Sequence, residues 1–200
     1  MDVRQNTLAC IVRSCFIVMN KPVIMVTRFN NLTKSENEKY CVDKKFYGSI
    51  YGSPVKISPK ILEGTSLIVV EMNISQNVKG ICGVGLIKNN LDRKLSCKIY
   101  ENKKFNKYIY LSEYRIDKSM FNCQERDFMH NLEQVLFKTK AHLQRGVGIT
   151  KVPTGNLKRV NIDYTRIEST CHDSKPTVIV NYLVQMFKNR FGDFSHSDAQ

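Results

Sequence analysis

Between Lys138 and Arg166 the chain sets seven positive side chains, Lys138, Lys140, Arg145, Lys151, Lys158, Arg159 and Arg166, against one acid, Asp163. A solvated face mixes its signs, whereas a run this one-sided concentrates positive potential. Inside it, Arg145-Gly-Val-Gly148 joins a guanidinium that can make two parallel hydrogen bonds to one phosphate with two glycines free to take positive φ. Backbone N–H groups turned by such glycines form an anion-holding concavity. The chemistry expected here is phosphate binding through Lys138, Lys140, His142, Arg145, Gly146, Gly148 and Lys151, with Lys158 and Arg159 extending the path. The competing expectation is structural, with Gly146 as a helix C-cap and the lysines complementing the helix dipole.

A second basic segment runs from Lys98 to Tyr110, where Lys103, Lys104 and Lys107 flank Phe105. Aromatic rings beside cations suit single-stranded nucleic acid, whose bases stack while its phosphates pair. Tyrosines in strands also pack across strands as core residues, so either role is open to Tyr100, Tyr108 and Tyr110.

Signatures of catalysis are missing from the sequence. Gly80-Ile-Cys-Gly-Val-Gly85 has its glycines in the reverse order for a dinucleotide loop and lies within a strand pattern. No Walker A, G-x-S-x-G or H-E-x-x-H sequence occurs. His130 and His142 fall twelve positions apart on one expected helix, about 120° around its axis, and cannot share a ligand easily. Arg126-Asp-Phe-Met-His130 is similar to the Arg-x(4–6)-His motif of HEPN ribonucleases with one residue too few between the two. The seven cysteines, Cys10, Cys15, Cys41, Cys82, Cys97, Cys123 and Cys171, are scattered and include no CxxC or CxxH pair, so no zinc site, cofactor or disulfide scaffold is expected, and the thiols fit a reducing compartment.

With 31 Lys and Arg against 18 Asp and Glu, the net charge is +13. Such an excess favours nucleic acid, an anionic membrane face or an acidic protein as partner. Arg13, Asn20, Lys21 and Pro22 interrupt the apolar run from Cys10 to Val26, which therefore lacks the ~20 apolar residues of a membrane span and the pattern of a signal peptide. An intracellular place, cytoplasm or nucleus, follows as the expectation. Lys, Asn and Ile are abundant and all have AT-rich codons, as in the genome of a large DNA virus or a protist.

Two hundred residues, 42% of them apolar, are enough for one domain with its own core. The expected fold class is α+β, a mostly antiparallel, barrel-like sheet with two packing helices. The whole chain, 1–200, reads as one domain with a sheet-rich part at 8–118, a helical and basic-loop part at 119–192 and a frayed tail at 193–200. Apolar runs at Cys10–Met19 and Pro22–Phe29, with Asn20-Lys21 between them, predict a hairpin. Polar Asn30–Asp43 predicts a loop, and punctuated Lys44–Pro59 predicts short extended pieces. Ser66–Met72 and Val78–Lys88 predict paired central strands, followed by strands at Leu95–Tyr100 and Lys107–Ile116. Asn122-Cys-Gln-Glu125 has capping-box spacing and opens a helix predicted over 124–143; a second helix is predicted over 176–190, stopping before Gly192.

Ile61-Leu-Glu-Gly-Thr-Ser-Leu-Ile-Val-Val-Glu-Met72, followed by Lys79-Gly-Ile-Cys-Gly-Val-Gly-Leu-Ile87, resembles the strand pair of the PUA-like superfamily, which includes the EVE, ASCH and YTH domains. The resemblance covers about 30 residues. It implies a small mixed barrel with flanking helices that binds RNA or a modified base in a pocket. Such pockets use aromatic side chains, often Trp, and this chain has no Trp; no site residue is carried over. The expected function is a nucleic-acid-binding, RNA-favouring module acting on RNA or single-stranded nucleic acid. Two alternatives stand beside it: a non-catalytic protein-interaction or virion component of a large DNA virus, and a nucleic-acid-processing enzyme. Oligomeric state is not legible.

Overall fold

In the computed structural model, which describes residues 21–91, 97–165, 167 and 173–192, the β-branched run after Pro22 forms β1 (Val23–Phe29). Asn30 then caps α1 (Asn31–Asp43). Its Oδ1 accepts the Thr33 N–H at 2.8 Å, and Thr33 Oγ1 accepts the Asn30 N–H at 3.0 Å. This reciprocal box starts a helix where polar composition predicts a loop. The pattern misleads because α1 buries none of its residues and so carries no apolar stripe. The expected partner of β1, Cys10–Met19, lies outside the described residues.

The chain continues through β2 (Ser49–Ser53), β3 (Ser66–Asn73), β4 (Gly80–Lys88), β5 (Tyr108–Ser112) and β6 (Tyr114–Asp117). Then follow α2 (Cys123–Glu133), β7 (Thr150–Lys151), α3 (Thr154–Lys158) and α4 (Lys175–Phe191). Five strands make one sheet in the order β6-β4-β3-β1-β7. β3 and β4 are central and antiparallel, as their sequences predict, but β1 runs parallel to β3 from Val23↔Leu67 to Phe29↔Asn73. β2 and β5 pair separately, from Ser49↔Ser112 to Ser53↔Tyr108.

The expected barrel is corrected to an open sheet. Its edges, four-residue β6 and two-residue β7, do not pair with each other. The strands that would close it, β2 and β5, lie instead across one face as a two-stranded ribbon. The predicted strand 107–116 is split by the turn at Glu113. Of the predicted strand at Leu95–Tyr100, residues 97–100 are not in a strand and the rest lies outside the described residues.

Alternation along the strands supplies two cores. Ile24, Val26, Ile68, Val70, Val84, Leu86 and Ile116 face α2, α3 and α4, packing against Phe128, Leu132, Leu157, Ile179, Leu183 and Phe187. Met25, Phe29, Leu67, Val69 and Ile87 face the ribbon, packing against Ile50, Tyr51, Ile109 and Tyr110. Close contact explains Gly85, which faces the ribbon, and Gly83, which faces the buried Glu71 side chain of β3. A Cβ on Gly85 would lie 2.1 Å from Ser49 Oγ and 2.2 Å from the Tyr51 hydroxyl, and one on Gly83 would lie 2.6 Å from Glu71 Oε2.

Between these layers sits Glu71, 3% exposed. Its carboxylate accepts from Arg115 Nε at 2.9 Å, Arg115 Nη2 at 2.7 Å and the Tyr51 hydroxyl at 2.8 Å. Such fully partnered burial is the condition under which a charge is tolerated inside a fold.

The predicted 124–143 helix is shorter than its apolar repeat. α2 opens on the expected Asn122/Glu125 box, widens into a π turn at Gln134–Lys138 and ends at the extended residue Thr139, whose hydroxyl turns back onto the Val135 carbonyl at 2.9 Å. Leu143 N–H donates to the Leu136 carbonyl at 2.7 Å, and Gln144 Nε2 donates to that of Phe137 at 2.7 Å. Leu143 therefore continues the apolar spacing from a loop folded back on the helix end. α4 agrees with its predicted span to within a residue at either end, and Gly192 stops it at φ 76°.

Candidate nucleic-acid interface

The loop after α2 is tied to β1 by one side chain that sequence reasoning missed. Arg28 follows Ile24 and Val26 on the helix-facing side of β1 and is half-buried. Its Nε donates to the Leu143 carbonyl, Nη1 to the Gly148 carbonyl at 3.4 Å and Nη2 to Thr150 Oγ1 at 2.9 Å. Burial pulls its pKa below the usual guanidinium range. Three neutral acceptors thus fix both ends of the loop, and β7 follows by pairing with Met25 and Val26.

Both loop glycines adopt positive φ, 137° at Gly146 and 71° at Gly148. At Gly148 a Cβ would also meet Ser53 Oγ at 2.4 Å, and at Gly146 it would press on the Arg28 guanidinium at 3.0 Å. The structural alternative of Gly146 as a helix C-cap is not what is seen, since the π turn ends eight residues earlier, at Lys138.

Gly146, Val147 and Gly148 form one wall of a cleft of about 170 Å³. Its floor is the end of β1, Thr27, Arg28 and Phe29, together with Ile74 just beyond β3. Gly52 of β2, Tyr100, Phe105, and Asn30 and Thr33 of the α1 capping box also line it. The cleft thus lies at the carboxyl ends of the two parallel strands, the position where open α/β sheets hold their ligands. No Asp or Glu is among its described lining residues.

The two basic segments, about forty residues apart, meet at this cleft. Lys103 and Lys104 stand exposed on the 3-10 turn that carries half-buried Phe105; Lys107 is also exposed, its ammonium 5.3 Å from the Tyr108 ring. Arg145 is exposed beside Gly146. Tyr100 and Tyr110 belong to the core: Asn37 Nδ2 donates to the Tyr100 hydroxyl at 3.0 Å, and the Ile57 N–H to that of Tyr110 at 3.0 Å. Phe105 meets Tyr100 edge to face at 5.9 Å.

Of the predicted site residues only Gly146 and Gly148 line the cleft, and Lys103, Lys104, Lys107 and Arg145 stand near lining residues in sequence without lining it themselves. Lys138 and Lys140 are exposed where the π turn gives way to the loop, and Lys151 is exposed on β7. Lys158 and Arg159 are exposed at the end of α3, which is joined to the loop by Asn156 Nδ2 donating to the Ala141 carbonyl at 2.7 Å. His142 is half-buried, and its Nδ1 has no hydrogen-bond partner among the described residues. Arg166 lies outside the described residues. Arg126 and His130 are each engaged locally, Arg126 with the Phe121 carbonyl at 2.9 Å and His130 with Gln134 at 3.0 Å. Cys41, Cys82, Cys97 and Cys123 are free thiols, and the described residues contain no group of three or more His, Cys, Asp or Glu placed to hold a metal ion. No helix among the described residues is long and apolar enough to cross a membrane.

No family model matches the chain, and no solved structure matches it. Among curated proteins, one from Plasmodium falciparum (isolate 3D7), provisionally named an E3 ubiquitin-protein ligase, is 25% identical over 116 residues. That stretch is 57% of this chain, and the chain spans about 1% of the length of the relative it matches. Likeness of this extent shows no family.

Proposed function

We propose that the protein binds single-stranded nucleic acid, RNA in particular, along the face where the two basic segments flank the cleft. The observation that carries this reading is the convergence on one acid-free cleft of Gly146–Gly148 with Phe105, each from a segment rich in exposed cations. Lysine and arginine side chains neutralise phosphates there, and the half-buried ring of Phe105 offers a stacking surface for a base. At about 170 Å³ the cleft is smaller than the roughly 300 Å³ at which sites for drug-sized ligands begin. Only one unit of a strand enters it, and the rest of the strand follows the exposed cations. The expectation of a non-catalytic module is kept.

Charge reversal tests this reading. Replacing Lys103, Lys104 and Arg145 together with Glu is expected to abolish binding of a fluorescent single-stranded RNA, measured by anisotropy at low salt. The same reversal at three other exposed lysines that do not line the cleft, Lys44, Lys45 and Lys118, carries an equal change of charge and is expected to cost far less. Equal losses would show that the net charge acts without a preferred face.

A further inference from the structure

We infer that the cleft at Arg28 is a discrete seat for one phosphate group, distinct from the diffuse attraction of the surface lysines, and this inference rests on the nucleic-acid reading above. Arg28 is half-buried, and among the described residues its hydrogen bonds go to neutral acceptors, Leu143 O, Gly148 O and Thr150 Oγ1, while no described carboxylate lines the cleft it faces. Two other partly buried guanidiniums among the described residues contrast with it. Arg115 grips Glu71, and Arg190 grips Glu125. A desolvated cation without a counter-ion is costly, and an anion brought to it recovers that cost. Three neutral bonds use one N–H from each nitrogen and leave one donor on each Nη.

Neighbouring groups favour the same charge. The α1 capping box satisfies the N–H groups of Asn30 and Thr33, and the first turn of α1 carries no acid, so the positive end of its dipole stands uncompensated beside the cleft. The positive φ values at Gly146 and Gly148 let the loop wrap the guanidinium, which a Cβ on Gly146 would crowd at 3.0 Å. The group seated is a phosphate mono- or diester. It comes either from the end of a strand or from within it.

Titration of the ¹⁵N-labelled protein with inorganic phosphate, at constant ionic strength against chloride, tests the seat. The expected result is a saturable shift of the Thr33, Gly146 and Gly148 amides, reproduced by adenosine 5′-monophosphate and not by adenosine. Arg28→Gln should weaken it at least tenfold. Because Arg28 also ties the loop, Val147→Glu supplies a second variant: Val147 lines the cleft and is 57% exposed, so a carboxylate there should displace phosphate without disturbing a core and should weaken phosphate binding several-fold more than the similarly sized, uncharged Val147→Gln. Comparing RNA carrying a 5′-phosphate with RNA carrying a 5′-hydroxyl separates the sources, tighter binding of the first assigning the seat to a strand end and equal binding to an internal phosphate. RNA binding without phosphate shifts at these amides, or with Val147→Glu indistinguishable from Val147→Gln, would overturn the seat alone. Phosphate shifts without RNA binding would keep the seat and overturn the nucleic-acid reading.

Discussion

Arg145 and Arg28 illustrate two uses of one side chain. Arg145 is exposed beside Gly146, whereas Arg28 uses three of its donors to fix the loop. Arg145→Ala is therefore expected to weaken single-stranded RNA binding by about 1–3 kcal/mol, as for loss of a charge-assisted contact. Lys118→Ala should change it little, and both proteins should keep the wild-type melting temperature. Gly148→Val belongs to a different class, since a β-branched residue resists φ 71° and its Cβ meets Ser53. It is expected to lower both stability and binding, read by thermal melting and anisotropy together. The loop glycines and its exposed cations were legible in the sequence because their residue types carry the chemistry directly. Arg28 was not: it is a single charge in Val-Ile-Met-Val-Thr-Arg-Phe, and only the fold brings it to residues 143–150. That lone arginine inside a strand pattern was the available signal.

At the level of elements, strands β3 and β4 and helix α4 follow their sequence patterns because each buries an alternating or helical apolar face. Failures came where burial does not pattern the residues. α1 is stabilised by its capping box and by ion pairs Lys34–Glu38 and Lys39–Asp43, none of which leaves an apolar period. Alternation in β2 and β5 is that of strands, yet it cannot tell a ribbon laid on a sheet from a barrel wall. The contact that settles this is Glu71 with Arg115 and Tyr51. Glu71→Ala leaves a buried tyrosine hydroxyl without its acceptor and Arg115 with Asp117 as its remaining ion pair at 3.1 Å. Breaking a buried pair costs about 3–5 kcal/mol, and partial exposure of Arg115 places this one near about 3. Urea unfolding should show the midpoint lowered by that amount divided by the slope, with the slope unchanged.

For the whole molecule, burial raises several acidic groups together. Cys82 is pushed up to about 12 by burial and then by the Glu71 charge, and Tyr40 to about 12 by burial and its bond to Cys97. Tyr51 and Tyr100 are also raised, chiefly by burial. Folded-state values above the unfolded ones near 9 and 10 mean that unfolding releases protons at high pH. The stability they contribute is full below about pH 9 and lost as pH rises toward 12. The melting temperature is expected to be flat through neutrality and to fall above about pH 9; constancy to pH 11 would contradict this. The same burial should keep Cys82 from alkylation in the native protein at pH 8 while exposed Cys123 reacts, a difference read by mass spectrometry.

Charge is the other property of the whole chain, +13 in 200 residues, and the cleft gives part of it a direction. The most direct measurement of the account is the affinity for single-stranded RNA as a function of salt. Each phosphate neutralised releases condensed counterion, so log K should fall linearly with log[salt], by about 0.7 per phosphate on a single strand. Contacts from Lys103, Lys104, Lys107, Arg145 and the cleft predict a slope of about −2 to −4, reduced by roughly one contact in Arg145→Ala and unchanged in Lys118→Ala. Undetectable binding at low salt, or a slope that Arg145→Ala and Lys118→Ala alter equally, would contradict it.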